Sequence, residues 1–292
     1  MGIRANYVVI EDGDTYLAWS RWGGDRVVAD LRAGPRAATD AVRPPHPPVV
    51  PAPDTAEALL WRGPVRVEEL MTDVQCEGAA LIDHDRRVLL AFQWVEDYAA
   101  FIDGIAALTE AWPGWRVRWA FDGVLDLAAY LGRDREGLRE NRLPDASMFA
   151  GRPAPFHGPG RLVPDASDTY YEGVLSVRHP DGSLELHLAT ERPSVVAFTT
   201  AAAIAALEPG FRALTRQVFP RWGLHLEPES RTAGLWSIDL FEGALIDPEP
   251  NWPGWTWDVW GGDIRRQLDA CGGALRVPPL PAALRNLPAV GV

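Results

Sequence analysis

The chain has 292 residues, of which 47% are hydrophobic and 23% charged, a composition typical of a globular protein that buries a core. Its 40 acidic residues stand against 28 basic ones, all of them arginine, and the formal net charge is −12. The lack of lysine excludes Schiff-base chemistry and a P-loop, and the negative charge argues against binding nucleic acid. We therefore expect a cationic small molecule or a basic protein as partner.

Several features predict a soluble protein of the cytoplasm. The apolar start of the chain leads at once into Glu11 and Asp12, so we expect no signal peptide. The longest apolar stretch, residues 195–207, is shorter than the roughly 20 residues that cross a bilayer, so we expect no membrane association. Cys76 and Cys271 are isolated, which suits a reducing compartment. Arginine without lysine also indicates a bacterial-like bias of composition. The sequence does not set the oligomeric state.

Two stretches rich in proline or glycine divide the chain. Six of the ten residues at 44–53 are proline, which predicts a surface loop inside the first half. Residues 151–165 are rich in proline and glycine, which predicts a linker without regular structure. We therefore expect an N-terminal half at residues 1–150 and a C-terminal half at residues 166–292.

Three hairpins and two helices are predicted in these halves. Runs rich in β-forming residues join around residues 12–13, 84–85 and 180–182, each a turn sequence. Apolar residues recur at spacings of three and four over residues 95–111 and 195–207, which predicts helices. The expected fold class is α+β, with mainly antiparallel sheets and packed helices.

An internal repeat indicates that the two halves are related. Residues 77–83 read EGAALID and residues 242–247 read EGALID, and each string is followed downstream by Trp-Pro-Gly-Trp, at 112–115 and 252–255. After each Trp-Pro-Gly-Trp motif the chain reads as a short strand, a glycine turn and an amphipathic helix. We interpret this pattern as a partial internal duplication.

The tryptophans of these motifs are the candidate binding residues. Alternation along each following strand places two tryptophans on one face, and acidic residues stand nearby. The candidate ligand-binding residues are Trp115, Trp119, Asp122, Trp255, Trp257, Asp258 and Asp263. Indole faces beside carboxylates favour a cationic or aromatic small molecule, which we expect in a Trp-lined acidic cleft between the halves. The alternative is that the indoles fill the core.

Two other functions stay open at this point. Carboxylates at residues 239–249, and at Asp83 and Asp85 around a histidine, allow a carboxylate-dependent hydrolytic enzyme. The net charge also allows an acidic interaction protein that neutralises a basic partner. We expect neither a metal nor a cofactor, because the six histidines show no metal-ligand spacing and no nucleotide motif occurs. His179 and His187, on opposite arms of one hairpin, are predicted to lie roughly 13 Å apart along the strands.

Overall fold

The computed structural model describes residues 3–20, 23–43, 76–96, 98–134, 156–158, 172–189, 201–214, 218, 220–238 and 252–277. The chain divides into two compact units, Met1–Arg142 and Leu143–Val292, here called unit 1 and unit 2. The predicted loop at 44–53, the carboxylates at 239–249 and most of the predicted linker lie outside the described residues. The sequence-based limits of the two halves therefore stay predictions.

Unit 1 contains a five-stranded mixed sheet. Its strands are β1 (Ala5–Glu11), β2 (Asp14–Ser20), β3 (Gly78–Asp83), β4 (Val88–Gln93) and β5 (Arg116–Trp119), in the order β2-β1-β3-β4-β5. Its described helices are α1 (Val27–Leu31), α2 (Pro35–Val42), α3 (Tyr98–Ala111) and α4 (Val124–Tyr130). Strands β3 and β4 are buried on both faces, which is why their sequences read as continuous apolar runs.

Unit 2 contains a six-stranded mixed sheet. Its strands are β6 (Phe156–His157), β7 (Gly173–Arg178), β8 (Leu184–Ala189), β9 (Trp222–Glu227), β10 (Thr232–Ser237) and β11 (Thr256–Val259), in the order β11-β10-β9-β7-β8-β6. Its described helices are α5 (Ala201–Ala205) and α6 (Ile264–Cys271). Strand β6 falls inside the segment predicted as an irregular linker, and it pairs with β8.

Apart from β6, the two sheets have the same strand order, the same strand directions and the same register. Ala5 of β1 pairs with Gly78 of β3, and Gly173 of β7 pairs in the same way with Trp222 of β9. In unit 1 strand β5 lies parallel to β4, and in unit 2 strand β11 lies parallel to β10. The α+β class with two similar halves is therefore confirmed.

Both sheets are mixed. Within each hairpin the strands are antiparallel, but the two hairpins of a unit meet through a parallel pair, and the last strand also joins in parallel. In unit 1 helices α1 and α2 follow β2, and α3 lies between β4 and β5. Helix α3 returns the chain to the end of the sheet where β4 began, so β5 runs parallel to β4. The antiparallel β1–β2 hairpin itself ends where β1 began, and β3 starts from that end and runs parallel to β1.

The repeated strings correspond only in part. Residues 112–115 lead into β5 and residues 252–255 lead into β11, so the Trp-Pro-Gly-Trp motifs occupy the same place in the two sheet orders. Residues 77–83 span β3, whose place in unit 2 is taken by β9, whereas residues 242–247 lie outside the described residues. The two EGA strings therefore do not mark equivalent strands. The duplication itself stays an interpretation.

Helix α6 packs on one face of the unit 2 sheet, here called the α6 face. Cys271 of α6 belongs to a buried apolar cluster with Val174 of β7 and Leu186 and Leu188 of β8. The register places Ser176 of β7, His225 of β9 and Gly234 of β10 side by side on this same face. The α6 face thus combines an apolar core with a polar stripe. Among the described helices, none is long and apolar enough to cross a bilayer.

Candidate functional site

The two Trp-Pro-Gly-Trp turns have the same geometry. In unit 1 the rings of Trp112 and Trp115 meet edge to face, with centroids 4.8 Å apart at 83°. In unit 2 the rings of Trp252 and Trp255 meet at 5.0 Å and 83°. In both turns the second tryptophan donates its backbone N–H to the carbonyl of the first at 3.1 Å, and the glycine has a positive φ. Each turn buries its first indole completely and leaves its second partly exposed.

Trp119 lies in the core of unit 1. Its side chain is buried and packs edge-on against Phe101 at 5.2 Å and Phe92 at 5.9 Å. Its indole Nε1 is buried and has no hydrogen-bond partner among the described residues. The two other candidate residues of this unit, Trp115 and Asp122, differ in burial. Trp115 is partly exposed and stands edge-on to His84 at 5.1 Å, and Asp122 is buried.

In unit 2 the predicted residues separate onto the two faces of β11. Trp255 and Trp257 are partly exposed and both stand edge-on to the buried Trp252, the second at 5.3 Å. Asp258 is exposed on the opposite face, as alternation requires. Asp263 is the N-cap of α6, accepting a hydrogen bond from the backbone N–H of Arg265 at 3.1 Å and pairing with its guanidinium at 2.6 Å. This carboxylate therefore already has a cationic partner.

Asp258 belongs to a cluster that the sequence did not reveal. The Arg266 guanidinium donates to both oxygens of Asp258, at 2.5 and 3.3 Å, and its central carbon lies 5.0 Å from the centroid of the Trp260 ring. The indole N–H of Trp260 donates to the same carboxylate at 3.0 Å. Partial burial acts to raise the pKa of Asp258, but the hydrogen bonds from Arg266 and Trp260 outweigh it and hold the pKa below its ordinary value. Asp258, Trp260 and Arg266 are here called the Trp260 cluster.

A chain of buried hydrogen bonds runs under α6 to the edge of this cluster. The indole N–H of Trp236 donates to Gln267 Oε1 at 2.7 Å, and Gln267 Nε2 donates to Ser176 Oγ at 2.9 Å. Ser176 Oγ lies 2.8 Å from Nδ1 of His225. The His225 ring then stacks beside Trp260, with centroids 6.3 Å apart and planes at 27°. Gln267 sits at the centre of the chain and is fully buried.

The neighbours of His225 favour one tautomer. Gln267 donates to Ser176 Oγ, and the serine hydroxyl has two acceptors in reach, His225 Nδ1 at 2.8 Å and the Leu224 carbonyl at 3.4 Å. The carboxylate of Glu227, whose Oε1 lies 3.5 Å from Nε2, favours the tautomer that carries the ring proton on Nε2. Burial lowers the pKa of His225, although Glu227 opposes the effect, so the ring is neutral at pH 7. Nε2 lies 3.5 Å from Glu227 Oε1 and has no hydrogen-bond partner among the described residues.

The same sheet positions in unit 1 are apolar. The shared register places Val8 where unit 2 has Ser176, and Leu81 where unit 2 has His225. Burying a serine, a histidine and a glutamine costs free energy unless they are hydrogen-bonded, and these three satisfy one another beneath α6, whereas the apolar residues of unit 1 need no such network. Unit 2 therefore carries the feature that calls for a functional explanation. A sequence signal did exist, since Gln267 interrupts the apolar face of the predicted helix after 263, but its partners are not visible without the fold.

No family model, curated protein or solved structure matches this chain.

The carboxylates around His84 have structural partners. Asp83 is buried and accepts hydrogen bonds from the Tyr130 hydroxyl at 2.6 Å and from a turn N–H at 2.8 Å. The two oxygens of Asp85 accept the backbone N–H groups of Asp12 and Gly13, each at 2.9 Å. Asp85 therefore links two neighbouring hairpin turns and Asp83 links the end of β3 to α4, so both carboxylates have structural roles.

His179 and His187 approach one carboxylate. The strand register separates the backbones of the two histidines as expected. Glu185 lies between their side chains, and its Oε2 is 3.5 Å from Nε2 of His179 and 3.9 Å from Nε2 of His187. Arg212 and the N–H of Gly210 also reach Glu185. Burial lowers the pKa of His187, against the opposing charge of Glu185. Within the described ranges, no three His, Cys, Asp or Glu side chains form a group that would hold a metal.

Proposed function

We propose that the protein binds a cationic or flat aromatic small molecule at the Trp260 cluster of unit 2. The observation that carries this proposal is the Arg266 guanidinium, which lies over the Trp260 ring and forks onto the Asp258 carboxylate. A flat cation is thus held there by an aromatic face and by paired hydrogen bonds, the two interactions that recognise guanidinium groups. An internal side chain occupies the place of the ligand.

Arg266 is held weakly enough to be displaced. Its side chain is 48% exposed and that of Asp258 is 58% exposed, so solvent screens their attraction. An exposed ion pair contributes about 0.2–1 kcal/mol and an exposed cation–π contact about 0.5–1 kcal/mol. Together they hold Arg266 in place by roughly 1–2 kcal/mol. The apparent affinity for an external cation is then reduced about 5- to 30-fold by this competition.

The charge of the chain supports a cationic ligand over an anionic one. A net charge of −12 raises the local concentration of cations and speeds their encounter with the surface. At the site itself, the Asp258 carboxylate accepts a hydrogen bond from the indole N–H of Trp260 and so places a negative charge beside the ring. Binding should therefore weaken as the ionic strength rises. The hydrolytic alternative has less support, because the described carboxylates Asp83 and Asp85 are engaged by backbone N–H groups and by Tyr130.

The test is a titration of the full chain with ethylguanidinium, followed by the indole N–H resonance of Trp260 in NMR spectra. Because the chain has 13 tryptophans, the Trp260→Phe variant is needed to assign that resonance. We expect Arg266→Ala to raise the apparent affinity about 5- to 30-fold, and Asp258→Asn to weaken it for ethylguanidinium more than for neutral indole.

Arg265→Ala is the matched control. Arg265 is the residue of α6 that immediately precedes Arg266, but it pairs with Asp263. The control should leave the affinity for ethylguanidinium unchanged. If Arg266→Ala gives no gain in affinity and no cation shifts the Trp260 resonance, the proposed function is wrong.

A further inference from the structure

A hydrogen-bond donor and an acceptor stand side by side next to the Trp260 cluster. The donor is Nε2–H of His225, which has no acceptor in hydrogen-bonding geometry among the described residues. The acceptor is Glu227, whose Oε1 lies 3.5 Å from that nitrogen. A ligand that fits both groups must itself present an acceptor next to a donor.

We infer that the guanidinium taken by the Trp260 cluster belongs to an arginine residue within a peptide chain, whose backbone amide is bound by Glu227 and His225. This inference rests on the proposed function and names its ligand. A peptide backbone carries a C=O acceptor and an N–H donor at every residue other than proline. The carbonyl accepts from His225, and the N–H donates to Glu227.

The spacing of the two groups suits an arginine side chain. The ring centroids of His225 and Trp260 are 6.3 Å apart. Five bonds separate the guanidinium carbon of an arginine from its own Cα, a reach on the order of 6 Å when partly extended. The guanidinium can therefore lie over Trp260 while the backbone of the same residue lies beside His225.

Glu227 has the freedom that this binding mode requires. Its side chain is 46% exposed, and besides His225 it contacts the hydroxyl of Ser230 at 3.4 Å. His225 Nε2 is buried beneath it, so a ligand carbonyl reaches this nitrogen when Glu227 turns outward to meet the ligand N–H. Gln267 and Ser176 meanwhile hold the His225 ring in its orientation.

Unit 1 shows what the same positions look like without this pair. Leu81 replaces His225, and Asp83 replaces Glu227 in the shared register. Asp83 is fixed by the hydroxyl of Tyr130 and is buried, so it offers no carboxylate to a ligand. The donor beside an available acceptor is therefore specific to unit 2.

The experiment compares three ligands by calorimetry with the full chain and with its Arg266→Ala variant. The ligands are ethylguanidinium, free L-arginine and an arginine capped as an acetyl and a methyl amide at its two ends. We expect the capped arginine to bind about tenfold more tightly than ethylguanidinium, since it adds two hydrogen bonds, one of them to a charged group. His225→Leu, which introduces the unit 1 residue, and Glu227→Gln should each reduce the ratio of the two affinities, that of the capped arginine over that of ethylguanidinium.

The outcomes separate this inference from the proposed function. If ethylguanidinium binds but the capped arginine binds no more tightly, the inference is overturned and the proposed function stands. If free arginine binds more tightly than the capped form, the ligand is the amino acid and the inference is again overturned. If no guanidinium compound binds to either protein, the proposed function itself fails. Should His225→Leu unfold, as judged by circular dichroism, the surface variant Glu227→Gln decides alone.

Discussion

The indole of Trp260 lies against the backbone of Gly234 so closely that a Cβ built on this glycine would be 1.8 Å from ring atom Cζ2. The register of unit 1 places Leu90 at the position of Gly234 and Ala120 at that of Trp260. In unit 1 the large residue of the pair is Leu90 and the small one is Ala120, whereas in unit 2 the small residue is Gly234 and the large one is Trp260. Gly234 leaves room for the indole that anchors the proposed site.

This relationship predicts a strong coupling between the two positions. Gly234→Leu should destabilise the protein by about 1–3 kcal/mol or more, because the core has no space for the side chain while Trp260 is present. Adding Trp260→Ala, which reproduces the unit 1 pair, should recover a large part of that loss. Urea unfolding of the two single variants and the double variant measures the coupling. Strictly additive effects would contradict the close packing seen here.

A second prediction concerns Gly104, which lies inside α3. A Cβ at this position would meet only the methyl groups of Val28, at 3.7 and 3.8 Å, which is ordinary van der Waals contact. Gly104→Ala should therefore stabilise the protein by about 0.5–1 kcal/mol, the usual gain in helix propensity. The free energy of unfolding in urea is the measurement.

The matched control for this prediction is Gly182→Ala. The turn at Gly182 is equally open, with no heavy atom within 4 Å of a Cβ, but its φ is +79°. Alanine is strained in that conformation by about 1–2 kcal/mol, so this variant should lose stability. A gain at both glycines, or at neither, would show that local space and backbone conformation do not decide the outcome.

The hairpins could be predicted from the sequence, but the order of the strands could not. Alternation and turn residues are local, and they locate the turns at Gly13 and Gly182 from a few neighbouring residues. The parallel pairing of β1 with β3 joins Ala5 to Gly78 across 73 positions of sequence. No local pattern encodes such a contact. The repeat suggested two related halves, although one of its two strings does not mark equivalent strands.

The candidate site was predictable only where it depends on alternation. The sequence placed Asp258 on the face of β11 away from Trp257, and the structure agrees. It gave no indication that Arg266 returns from α6 to pair with Asp258, since that depends on how the helix packs on the sheet. His225 was likewise missed, because its role follows from a serine on one neighbouring strand and a glutamine on the covering helix.

The third prediction concerns Gln267, which connects the buried polar groups of unit 2. Its amide accepts from Trp236 and donates to Ser176 and to the Leu224 carbonyl, all under α6. Gln267→Leu keeps the volume but removes the acceptor of the buried Trp236 indole N–H and the donor to Ser176 Oγ. We expect a loss on the order of 2–4 kcal/mol in the free energy of unfolding. Arg265→Ala on the same helix removes the partly exposed ion pair with Asp263 and none of the buried polar contacts described above, so it should cost less than Gln267→Leu.

The last prediction concerns the dependence of stability on pH. His225 and His187 are both buried, and burial lowers the pKa of each below the ordinary value of 6.5. In the unfolded chain both rings regain that ordinary value. Between it and the lowered folded values, the unfolded state binds more protons than the folded state, so stability rises with pH across this window. Stability should therefore fall as the pH is lowered below about 6.5.

His225→Leu isolates the contribution of one ring. A single histidine that titrates only in the unfolded state changes the free energy of unfolding by up to about 1.4 kcal/mol per pH unit. Removing it should reduce the slope of stability against pH by up to that amount below pH 6.5, with little change in slope above pH 7.5. Urea unfolding from pH 5 to pH 8 provides the measurement, and His187→Leu should lower the slope in the same direction. An unchanged slope in both variants would mean that the acid sensitivity comes from carboxylates, since the imidazoles would then bind the same number of protons in the folded and unfolded states.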